Sequence, residues 1–79
     1  MLWTKALPSI ENLYWFRRSP KIKGEIVLII NDNGTMKMCT ASKYGELLTK
    51  IVRDYPEYSF SDIPIQEPQE VTTYTDYFD

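Results

Sequence analysis

Gly24-Glu25-Ile26-Val27-Leu28-Ile29-Ile30 runs into Asn31-Asp32-Asn33-Gly34 and then into Thr35-Met36-Lys37-Met38-Cys39-Thr40. A β-branched apolar run, a turn-forming tetrad and a second strand-like run together predict a β-hairpin. Asn33-Gly34 tolerates the positive φ angles that a type I′ turn requires. A two-residue turn sets Ile29 opposite Met38 and Val27 opposite Thr40. A four-residue loop sets Ile29 opposite Met36 and Val27 opposite Met38. Either register places Val27, Ile29, Met36 and Met38 on one face and Ile26, Leu28, Ile30, Lys37 and Cys39 on the other. The first set is wholly apolar and is the expected helix-packing face.

On the N-terminal side of the hairpin, Leu13-Tyr14-Trp15-Phe16-Arg17 has strand composition. Its alternation pairs Leu13 with Trp15 and Tyr14 with Phe16. Both faces are apolar, which predicts a central strand or one covered on each side. On the C-terminal side, Tyr44, Leu47, Leu48, Ile51, Val52 and Tyr55 form an apolar stripe at helical spacing. It predicts a helix from Ser42, as N-cap, to Tyr55, with Pro56 as its stop. Tyr58-Ser59-Phe60-Ser61 alternates as a possible fourth strand, while Leu2 to Asn12 is weakly patterned. The expected fold is α+β: a three-stranded antiparallel meander with a possible fourth strand, packed by one helix. Residues 1–66 form the single domain and residues 67–79 an acidic, aromatic tail.

Hydrophobic residues make up 43% of the 79 positions and aromatics 14%, enough to build a core where disordered chains cannot. A lone cysteine, Cys39, excludes an internal disulfide framework and suits a reducing compartment. The first residues lack the unbroken apolar run of a signal peptide, and Ile26 to Ile30 is far too short to span a membrane. The expected location is the cytoplasm, without membrane association. The net charge of −2 is unevenly spread: up to Asp54 nine basic and five acidic residues leave +4, and from Tyr55 onward six acids stand without any Lys or Arg.

Histidine is absent, which removes the usual general base, the Ser-His and Cys-His nucleophilic pairs and the commonest metal ligand. One cysteine without histidine cannot build a zinc site within one chain. Asn31-Asp32-Asn33-Gly34 resembles the middle of a calcium loop, but Ile29 stands where the first ligand belongs and no Glu follows at the required spacing. Three glycines form no phosphate-binding loop. The expectation is a protein that is not an enzyme and holds no metal or cofactor.

Two groups remain as candidate contact residues. Arg17, Arg18, Lys21 and Lys23 lie beside Tyr14, Trp15 and Phe16, a combination suited to single-stranded nucleic acid, set against an acidic whole chain. Glu67, Glu70, Asp76, Tyr74, Tyr77 and Phe78 combine carboxylates with aromatic anchors for a protein partner. Homodimerisation through an unpaired strand edge is a further possibility.

Tyr14-Trp15-Phe16-Arg17, then Glu25-Ile26-Val27 running into a glycine-containing hairpin, then Phe60-Ser61-Asp62-Ile63-Pro64-Ile65-Gln66-Glu67-Pro68 resemble a family of small phage and prophage proteins. In that family an aromatic-Arg strand leads to a short meander, and a Phe-x-Gly-Pro-Ile-Pro-like segment closes the domain. Ser61-Asp62 departs from the Gly-Pro of that segment. The resemblance implies an accessory protein of a phage or mobile element, working in the host cytoplasm. Its implied role is non-enzymatic protein binding, such as inhibition of a host defence complex in the manner of anti-CRISPR proteins. The alternative is a nucleic-acid-contacting accessory protein using the basic loop 17–23.

Overall fold

Asn33 at φ 54° and Gly34 at φ 89° close the hairpin, both in the left-handed region that a type I′ turn demands. The Asn31 side chain braces the turn by accepting the Gly34 N–H through Oδ1 at 2.6 Å. The two-residue register is the one adopted, with Asp32 opposite Thr35 and Ile29 opposite Met38. The computed structural model describes residues 1–66. Around the hairpin it builds a single antiparallel sheet of six strands in the order β1-β6-β2-β3-β4-β5. The strands are β1 Trp3–Thr4, β2 Asn12–Arg17, β3 Glu25–Asp32, β4 Thr35–Cys39, β5 Glu46–Leu47 and β6 Ser59–Ser61.

This corrects the expected three-stranded meander packed by a helix: the fold is a small sheet-rich one with a single short helix. Strand β2 is central, as its two apolar faces predict, but its second neighbour comes from far along the chain. β6 inserts between β1 and β2, with Phe16 opposite Phe60 and Trp3 opposite Ser61. The β1 strand escaped sequence reading because two residues carry no period.

The helix is shorter than its stripe predicts. α1 covers Leu48–Asp54 only. Gly45 turns the chain at φ 77°, and Glu46 and Leu47 pair with Met38 and Lys37 as an edge strand. Ser42 therefore caps nothing, and Tyr44 is 85% exposed. Tyr55 closes the helix through its N–H to the Ile51 carbonyl at 2.9 Å, and Pro56 forbids continuation.

One face of the sheet holds the core. Tyr14, Phe16, Val27, Ile29, Met38 and Phe60 project from the strands against Leu48 and Ile51 of α1, with Tyr58 beside them. Full burial of such a side chain is worth about 1.5–3 kcal/mol. Phe16 and Phe60 meet with ring centroids 5.0 Å apart, and Tyr58 stands edge-on to Phe60 at 5.8 Å. The Tyr14 hydroxyl donates to the Ile10 carbonyl at 3.0 Å, and burial pushes its pKa above the ordinary value.

Candidate functional site

The opposite face of the same sheet is apolar as well, and no element among the described residues packs over it. Strand alternation sends Leu13 and Trp15 of β2 to this side, beside Leu28 and Ile26 of β3 in direct register. Ile30 continues the band. Leu13 is 42% exposed, Ile26 51% and Leu28 40%, whereas Ile29, one residue from Leu28 on the core side, is fully buried. A contiguous apolar face left open to water is the kind of surface that marks an interaction site. Cys39 lies opposite Leu28 on this side but is buried, so it is a filler within the face.

At one end the face deepens into a cleft of about 330 Å³ lined by Met1, Leu2, Trp3, Trp15, Lys23, Gly24 and Ser61. Two devices set its shape. Leu2 is pinned by reciprocal bonds with Asp62: its N–H donates to Asp62 Oδ1, and the Asp62 N–H donates to its carbonyl, both at 2.8 Å. Gly24 then lets the two indoles approach. A Cβ there would meet Trp3 Cη2 at 2.9 Å and Trp15 Cε3 at 3.4 Å. Ser61 completes the lining, its Oγ accepting the Trp15 backbone N–H at 3.0 Å; outside the cleft, Arg17 Nε donates to Ser59 Oγ at 2.7 Å. Among the described residues no buried side-chain polar atom lacks a partner.

Of the four cations expected to work together, Arg17, Arg18 and Lys23 line one depression of about 250 Å³ with Phe16, Ile22 and Glu25, but the two guanidinium groups turn to different rings. The Arg17 guanidinium lies over the Trp3 ring at 4.3 Å, on the open face. That of Arg18 lies over Tyr55 at 5.2 Å, beside the helix. Lys21 is exposed on the loop, and Lys23 stands in the cleft lining. Neither lysine makes an ion pair among the described residues, whose salt bridges are Lys37–Asp32, Lys43–Glu46, Lys50–Glu46 and Arg53–Asp54. The expected partner-binding residues Glu67, Glu70, Tyr74, Asp76, Tyr77 and Phe78 lie outside the described residues. No group of three or more Cys, Asp or Glu side chains that could hold a metal ion occurs among the described residues. No described helix is long and apolar enough to cross a membrane.

Sequence reading missed Trp3, Gly24 and the outward set of β3 as site residues. The signal was present in the doubly apolar β2 and in the unbroken run Ile26 to Ile30. A strand with one wet face alternates, and these do not. In comparisons with known proteins, no family model, curated protein or solved structure matches the chain.

Proposed function

We propose that the protein is a non-enzymatic binding protein whose contact surface is the open sheet face formed by Leu13, Trp15, Ile26 and Leu28. The observation that carries this reading is the exposure of Leu13, Ile26 and Leu28, with half-buried Trp15 in direct cross-strand register beside them and a tryptophan-lined cleft at the end of the face. Such a face loses free energy to water and regains about 1.5–3 kcal/mol for each large side chain that a partner covers. Tryptophan is also the residue type most enriched among interface anchors. The resemblance to phage and prophage proteins adds a setting, an accessory protein of a mobile element acting on a host protein.

Nucleic-acid binding through the basic loop is the second reading; the carboxylate of Glu25 among the cations and the stacking of both arginines weigh against it. Phosphate binding needs a track of cooperating charges, whereas Arg17 and Arg18 each stack on a separate aromatic ring. Affinity capture from a lysate of the source cell, with and without nuclease, tests the choice. The expected result is a stoichiometric protein that survives nuclease and moderate salt. Nucleic acid alone, lost with nuclease or salt, would overturn the proposal.

A further inference from the structure

We infer that the cleft between Trp3 and Trp15 is a docking site for an acidic peptide segment, one that inserts an aliphatic or aromatic side chain beside a carboxylate. The inference rests on the protein-binding reading and names the chemistry of the partner. The lining is apolar apart from Ser61 and Lys23, and it holds no carboxylate. Ser61 is buried and its Oγ accepts the Trp15 backbone N–H. Lys23 is the one charged side chain of the lining, exposed and with no ion pair among the described residues. A cation at the mouth of an apolar cleft selects a segment with an apolar anchor and a neighbouring anion.

The wider surroundings agree. Arg17, held over Trp3, extends positive potential along the same side. The Asp62 carboxylate, beside Leu2, is spent on the Leu2 N–H. A nucleic acid offers anions too, but a single lysine at an apolar cleft suits one carboxylate better than a run of phosphates. At about 330 Å³ the volume lies at the lower end of the range for ligand pockets, the size for a side chain and its flanking backbone.

Both tryptophans of the chain line this cleft, so indole fluorescence reports on it alone. The full chain is titrated with three probes. The first is a synthetic peptide with the sequence of residues 67–79, which is acidic, aromatic and free of tryptophan. The second is the same peptide with each Glu and Asp replaced by Gln and Asn. The third is an oligothymidylate. The expected result is a saturable emission change with the acidic peptide, at least about tenfold weaker with the amide peptide. Lys23→Glu, at an exposed position, weakens the acidic peptide by a similar factor with an unchanged far-ultraviolet spectrum. Equal binding of the two peptides would overturn the inference while leaving the apolar face as a protein contact. No saturable change with either peptide would also overturn it, and the capture experiment then judges the protein-binding reading independently. Salt-sensitive binding of the oligothymidylate in place of the peptide would overturn both.

Discussion

Tyr14 and Gly24 show how single residues set the two faces of the sheet. Tyr14 is buried on the core side, donates to the Ile10 carbonyl and has a pKa raised by burial. A raised folded pKa means that the protonated phenol contributes stability fully below the unfolded value of about 10. That contribution is lost as pH rises through the higher folded value. Thermal melts between about pH 8 and 11 should therefore show stability falling at the alkaline end, with a smaller fall in Tyr14→Phe. Tyr14→Phe itself should cost about 0.5–1.5 kcal/mol near neutral pH through the lost hydrogen bond. Gly24 acts on the other side. Its φ does not demand glycine, so the constraint is the indole of Trp3 at 2.9 Å from an added Cβ. Trp3 is 41% exposed and its ring tip can swing away. Gly24→Ala should accordingly cost only about 1 kcal/mol, a melting shift of about 4–8 °C, while moving the tryptophan emission. A shifted melt with unchanged emission would show that the ring does not yield.

At the scale of elements, the hairpin and the helix mark what could and could not be read from the chain. The hairpin was legible down to its register alternatives, because Asn33-Gly34 specifies backbone angles and alternation specifies faces. Val27, Ile29 and Met38 do lie buried under α1, on the face expected to pack it. The helix was legible in existence but not in extent. Tyr44 and Leu47 fit helical spacing, yet Gly45 leaves the helical region and Glu46–Leu47 find hydrogen-bond partners on β4. Tertiary pairing outweighed local periodicity there. Strands β1 and β5 are two residues each, below any detectable period, and the insertion of β6 between β1 and β2 is a long-range event. The cleft depends on β1 and β6, so it was hidden with them. A pair of substitutions separates the short helix from the long one. Ile51→Ala should lose about 2–5 kcal/mol, as a buried core position does. Tyr44→Ser should stay within about 0.5 kcal/mol, because a surface side chain is removed. Chemical denaturation midpoints measure both; a large loss at Tyr44 would restore a helix beginning at Ser42.

At the largest scale, the governing fact is a sheet with one face covered and, among the described residues, one open. The turn residues are held to their geometry as well: Gly34, at φ 89° with nothing within 4 Å of an added Cβ, has space for a side chain but not the backbone conformation. Gly34→Val should thus destabilise by about 1–2 kcal/mol without touching either face, and its binding should remain intact below its melting temperature. Such a variant separates stability from contact. The open face calls for the opposite kind of change. Leu28→Lys and Ile26→Lys place a charge on it while their aliphatic stems still cover the strand.

The most direct measurement is quantitative capture of the partner by four forms of the full chain: unaltered, Leu28→Lys, Ile26→Lys, and Thr49→Lys on the exposed side of α1. Each is first shown to be folded by its far-ultraviolet spectrum and melt. The account predicts that the unaltered chain and Thr49→Lys retain the same nuclease-resistant partner and that both sheet-face variants lose it. Undiminished capture by Leu28→Lys and Ile26→Lys would contradict the account, since the open apolar face would then not be the contact surface.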